Sequence, residues 1–158
     1  YFNILQTKKP NAKFLFVSGE SKDKIITEAE KKGIDASCIE VISVLHKEVP
    51  LYISLFDASV FFIRATYSKK ASSPTKQGEI MAMGIPLVCN SGVGDTDEIV
   101  KRYNAGNVIS SFDTEAYASN IIDASTFDIE QIKQGAESYF SLKEGVELYA
   151  HVYKTIYE

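Results

Sequence analysis

Residues 64–86, RATYSKKASSPTKQGEIMAMGIP, hold the densest group of chemically useful side chains in this 158-residue sequence. A polar stretch from Arg64 to Ser73 runs into Pro74, and the spacing predicts a helix with Ser73 as its N-cap and Pro74 as its first residue. The free N–H groups and positive dipole end of such a helix bind phosphate well. Lys76 adds a cation one turn in, and Thr75 and Ser72 add hydroxyls beside it. Glu79 lies about one and a half turns in. Its charge opposes phosphate and suits it to accept hydrogen bonds from sugar hydroxyls. The same residues also fit a plain connector and helix start, with Lys76 and Glu79 as a surface (i, i+3) pair. The residue types alone leave both readings open.

Other candidates carry less. Gly92 and Gly94 would let a backbone approach a diphosphate, or would serve a tight turn, and they lack the rest of a dinucleotide fingerprint. His46 reads either as a loop residue or as a contact to a base; His151, on an amphipathic pattern, reads as a packing or surface histidine. Lys8-Lys9 and Lys31-Lys32 read as solvated faces, and Lys69-Lys70 is the one basic pair beside the polar stretch. The sequence contains no P-loop, nucleophile elbow, HExxH or spaced carboxylate pair.

Short apolar runs must position these residues. Lys13 to Ser18, Glu40 to Leu45, Ala58 to Ile63, Ile85 to Asn90 and Asn107 to Ser110 read as strands, continuously apolar and so expected to be covered on both faces of a parallel sheet. Between them run helical stripes: Ile25, Ile26 and Ala29; Leu51, Tyr52, Leu55 and Phe56; Ile80 and Met81; Ile99, Val100 and Tyr103; Tyr117, Ala118, Ile121 and Ile122. Pro50 fits a first helical turn, Gly84 a left-handed C-cap, and Asp95 with Glu98 a capping box. Two helices close the chain, one striped by Ile129, Ile132, Ala136 and Tyr139 and one by Leu142, Val146, Tyr149, Tyr153 and Ile156; both stripes need a surface to cover. The order predicts an α/β fold, a Rossmann-like doubly wound parallel sheet in three layers (α/β/α) with trailing C-terminal helices. In such a sheet ligands bind beyond the carboxyl ends of the strands. Those ends are Ser18-Gly19-Glu20, Val44-Leu45-His46, Arg64 to Ser73, and Asn90 to Asp95.

Composition narrows the partners. Seventeen Lys and Arg against 21 Asp and Glu give a net charge of −4. The pI is near 5.3 and mean hydropathy −0.08. With no Lys or Arg run longer than two, nothing marks a nucleic-acid or anionic-membrane footprint. No stretch approaches the roughly 18 apolar residues of a membrane span, so any membrane contact would be peripheral. Cys38 and Cys89 stand singly in apolar stretches and read as reduced thiols of a cytoplasmic protein, with neither a disulfide nor a metal site expected.

Residues 72–100, SSPTKQGEIMAMGIPLVCNSGVGDTDEIV, resemble the C-terminal, donor-binding half of GT-B retaining glycosyltransferases of group 1, family 4. The resemblance rests on Glu79, Met81-Ala82-Met83-Gly84-Ile85-Pro86-Leu87-Val88 and Gly92 to Val100, and extends loosely over nearly the whole chain. It implies a hexosyltransferase of polysaccharide biosynthesis, with a nucleotide-diphosphate sugar as substrate, no separate cofactor, and a glycan or lipid-linked acceptor. Of the family's E-x7-E pair, the second glutamate aligns with Glu79, which would hold the ribose; the first falls at Ala71. Ser72, Ser73 and Thr75 stand in that region and would meet sugar or β-phosphate instead. The expected donor site is thus Ser72, Ser73, Thr75, Lys76, Gly78 and Glu79, with Arg64 and Gly19 at strand ends and Val44 to His46 near the base. No catalytic residue is assigned. The chain starts at Tyr1 in a helical pattern with no strand before it. Residues 1–158 are accordingly expected to form one nucleotide-sugar-binding domain of a longer protein, lacking its first strand and the acceptor domain. A sugar-nucleotide epimerase of the same architecture would need more carboxylates and histidines at this edge, and a receiver-like nucleotide-binding module an acidic cluster at the first strand's end.

Overall fold

The structure, a computed structural model, describes residues 1–157. Its strands are β1 (Phe14–Val17), β2 (Ile39–Ile42), β3 (Ser59–Val60), β4 (Leu87–Asn90) and β5 (Gly106–Ile109). Its α-helices are α1 (Phe2–Lys8), α2 (Lys22–Glu30), α3 (Val49–Ile53), α4 (Thr75–Ala82), α5 (Thr96–Arg102), α6 (Thr114–Ser119), α7 (Ile129–Phe140) and α8 (Leu142–Tyr157). Every strand pair is parallel. Helices lie between successive strands, the connection that parallel pairing requires. The chain packs as two compact units, Tyr1–Leu55 with Ser111–Ile121, and Phe56–Ser110 with the chain from Ile122 on.

In the first unit, β1 pairs with β2 from Phe14↔Ile39 to Val17↔Ile42. Ser18 N donates to the Ile42 carbonyl as a last rung, so the second strand ends at Ile42 and not at Leu45. β1 is half-buried along its whole length, although its apolar run predicts cover on both faces. Phe2 of α1 is buried against Phe14, their rings 5.3 Å apart and nearly perpendicular. The Tyr1 hydroxyl and Lys8 Nζ donate to the carbonyls of Asn120 and Ala118, fastening α1 to α6.

The second unit holds the sheet β3-β4-β5. β4 is buried at every position, as its sequence predicts. Leu87 and Cys89 pack with Met81, Ile99, Val100 and Ile132, each burial contributing about 1.5–3 kcal/mol for a side chain of this size. β3 pairs over two residues only, where Ala58 to Ile63 was expected, because a side chain takes over its ladder. Phe61 N still donates to the Val88 carbonyl. Beyond it, Ile63 N donates to Asn90 Oδ1 at 2.8 Å and Asn90 Nδ2 donates to the Ile63 carbonyl at 2.9 Å, so an amide side chain stands in for a strand backbone.

α4 ends at Gly84, whose φ of +74° admits the left-handed turn expected there. Gly84 N donates to the Met81 carbonyl and Ile85 N to that of Ile80, the paired bonds of a Schellman close. α7 runs along α4 and buries Ile132 and Ala136 of its expected stripe, while Ile129 and Tyr139 stay exposed. α8 differs. It buries none of its residues, and Leu142, Val146, Tyr149, Tyr153 and Ile156 are each more than half exposed.

Candidate functional site

Three pieces of backbone meet at the carboxyl ends of β3 and β4. The first is the loop 64–73, which contains a short 3-10 turn at Tyr67–Ala71. The second is the glycine turn between β4 and α5, and the third is the start of α4. Asn90 ties the loop's origin to the end of β4. Gly94 N donates to the Lys69 carbonyl at 3.0 Å. Gly94 has φ +49°, and a Cβ there would lie 1.7 Å from the Ser72 carbonyl oxygen, so loop and turn are in backbone contact and only glycine fits. The two glycines, open to two readings in the sequence, therefore have a packing reason at Gly94.

The start of α4 differs by one residue from expectation. Pro74, with φ −69° and ψ 112°, is the N-cap and Thr75 the first helical residue; Ser73 stands one place outside and does not cap. The fixed proline φ suits the extended cap as well as it suits a first helical position, and no side-chain oxygen caps this end. Gln77 N donates to the Pro74 carbonyl at 3.0 Å, and the N–H groups of Thr75 and Lys76 receive no side-chain cap. Asp95 is the N-cap of α5 but makes no capping bond, which corrects the expected Asp95–Glu98 capping box. Its Oδ2 instead accepts from the Tyr139 hydroxyl, at the end of α7.

One face of α4 buries Gln77, Ile80 and Met81. On the other, Thr75, Gly78, Glu79 and Ala82 face Lys133, Glu137, Phe140 and Ser141 across a groove of about 600 Å³. Glu79, Thr75, Lys76 and Ser73 are exposed, Ser72 is half-buried, and Arg64 is exposed where the loop leaves β3. Lys76 and Arg64 carry no ion pair among the described residues, so the Lys76–Glu79 pair of a plain connector does not form. Gly78 is buried against α7, where a Cβ would come 2.7 Å from Phe140 Cγ; its lack of a side chain serves helix packing.

The structure thus brings Arg64, Ser72, Ser73, Thr75, Lys76, Gly78 and Glu79 onto one segment of one unit. Gly19, Val44 and His46 belong to the other unit. Gly19 is exposed after β1, where Ser18 Oγ accepts from Glu20 N. Val44 is half-buried, and His46 opens an exposed 3-10 turn whose entry is fixed by Leu45 N donating to Glu48 Oε2 at 3.0 Å. Three residues hold the surroundings of this segment in roles the sequence does not predict: Asn90, Gln77 and Tyr139. A readable signal existed for Asn90, the polar end of an apolar strand. The other two act through partners 19 and 44 residues away, a separation with no sequence signature.

A family model described as glycosyl transferases group 1 matches residues 1–137. The chain belongs to that family. No curated protein sequence matches this group 1 glycosyltransferase chain. Among solved structures it is similar to AviGT4, a glycosyltransferase involved in avilamycin A biosynthesis, with TM-score 0.67 and 16% identity over 97% of this chain and 45% of that one. It is also similar to WaaG, a glycosyltransferase involved in lipopolysaccharide biosynthesis, with TM-score 0.56 and 16% identity over 85% of this chain and 44% of that one. The chain spans a little under half the length of either. At such identity the likeness shows the fold, and it is the Rossmann-like α/β architecture expected of a GT-B half.

Proposed function

We propose that this chain is the donor-binding half of a hexosyltransferase, holding a nucleotide-diphosphate sugar for transfer to a glycan or lipid-linked acceptor. The observation that carries the reading is the meeting of the 64–73 loop, the glycine turn and the uncapped start of α4 at the carboxyl ends of β3 and β4. There, the uncapped N–H groups of Thr75 and Lys76 and the Lys76 ammonium stabilise the charge that develops on the leaving nucleotide diphosphate, an electrostatic form of catalysis. Glu79 accepts hydrogen bonds from ribose hydroxyls, and Ser72, Ser73 and Arg64 meet the sugar and phosphates. Gly19, Val44 and His46 stand on the first unit, following the β1 and β2 ends.

The acceptor is held by a further domain of a longer protein. The involvement of WaaG in lipopolysaccharide biosynthesis supports a glycan or lipid-linked acceptor. Among the described residues no helix is long and apolar enough to cross a membrane. We place the protein in the cytoplasm, touching a membrane only peripherally.

Calorimetric titration of the full chain with UDP-, GDP- and ADP-sugars tests the reading. One of them binds, and Glu79→Gln weakens it about tenfold or more, the value of a hydrogen bond to a charged acceptor. Absence of binding by every nucleotide sugar overturns it.

A further inference from the structure

The glycine turn is held from behind by a side chain that solvent does not reach. Gln77, in the first turn of α4, and Thr96, the first residue of α5, are both fully buried. Gln77 Nε2 donates to the Thr96 carbonyl at 3.2 Å, joining the first turns of the two helices. Gln77 Oε1 and Thr96 Oγ1 are buried and have no hydrogen-bond partner among the described residues. A methionine or leucine would fill the same space without stranding a buried acceptor, so stability alone is a poor reason for glutamine at this position.

What the bond fixes is the turn. Thr96 N donates to the Val93 carbonyl at 3.1 Å, and Gly94 N donates to the Lys69 carbonyl at 3.0 Å. The turn is therefore gripped at one end by the 64–73 loop and at the other by Thr96, whose own carbonyl is held by Gln77. Release of that carbonyl frees the first turn of α5 to shift, and Val93 and Gly94 shift with it.

We propose that Gln77 is a positioning residue, whose amide sets the first turn of α5 against that of α4 and so holds Val93 and Gly94 against the 64–73 loop, which leads into the start of α4 where the diphosphate of a nucleotide sugar is held. The proposal rests on the donor-binding reading above and gives Gln77 no contact with the ligand. It distinguishes Gln77 from an ordinary core residue, because its loss is felt by the diphosphate portion of a ligand and spares the nucleoside portion.

The test uses the full chain with Gln77→Met, which keeps the shape and removes the donor, and Gln77→Leu, which removes the donor with a different apolar shape and covers the case in which the first variant does not fold. Amide exchange is followed at Gly94 and Thr96, and binding of nucleoside mono- and diphosphates is measured by calorimetry. Exchange at both amides rises at least tenfold while the later turns of α4 are unchanged, and diphosphate affinity falls about tenfold with monophosphate affinity altered less than twofold. Unchanged exchange at Gly94 and Thr96 overturns the proposal whatever the ligands do, as does an equal loss for both nucleotides. If the wild type binds no nucleotide while the variants still loosen the two amides, the donor reading fails and the hold on the turn stands.

Discussion

The Tyr139 hydroxyl donates to Asp95 Oδ2, so the end of α7 is tied to the residue that caps α5, 44 positions earlier in the chain. Asp95 does not cap its own helix with its side chain. Tyr139→Phe removes the donor and leaves a carboxylate with one oxygen, Oδ1, already buried and unpartnered. The expected loss is about 1–2 kcal/mol of unfolding free energy, read by chemical denaturation.

The same hydroxyl enters the alkaline limb of stability together with Cys89. Burial pushes the Cys89 thiol up to about 12 from 9.0, and the bond to Asp95 pushes Tyr139 up to about 12 from 10.0. Both groups hold their proton more tightly folded than unfolded. Their contribution is complete below pH 9 for the thiol and pH 10 for the phenol, and it is lost as pH rises toward 12. Unfolding free energy measured from pH 8 to 12 therefore falls; Cys89→Ala flattens the limb from pH 9, and Tyr139→Phe flattens a smaller part from pH 10, smaller because the phenol is partly exposed.

Asn90 is the strut between β4 and the loop. Asn90→Leu leaves Ile63 N and its carbonyl without their partners at 2.8 and 2.9 Å. The cost is about 1–3 kcal/mol, and amide exchange at Ile63 accelerates more than exchange in β5.

Thiol reactivity separates the two cysteines. Cys38 is half-buried and Cys89 fully buried, and both are free. A thiol reagent labels Cys38 in the native chain and reaches Cys89 only after denaturant is added; labelling of both at equal rates would contradict the packing of β4.

Removal of residues from Leu142 on deletes a helix none of whose described residues is buried. The thermal midpoint changes by less than about 2 °C, within the effect of a few tenths of a kcal/mol, while binding of a hydrophobic dye drops.

Much of this was readable from residue order alone. β4 announced itself by the apolar run Ile85 to Asn90, and all four of its strand positions are buried; Gly84 announced itself by standing where a helix had to close. The cluster from Arg64 to Glu79 was legible because loop, proline and helix are contiguous in sequence. Hidden were the features made by distant partners: Asn90 replacing the end of β3, Tyr139 taking the Asp95 carboxylate, and Gln77 reaching Thr96. The apolar run of β1 predicted cover that the strand only half receives, since periodicity reports what a strand can bury and not what arrives to bury it. The α8 stripe shows the same limit.

The contact between Gly94 and the Ser72 carbonyl makes two loops inherit each other's length. A chimera that imports a relative's segment in place of 64–73 has to import that relative's 91–95 as well, because the two exchange as a single cassette. Swapped separately, each would bring a backbone shaped for an absent neighbour.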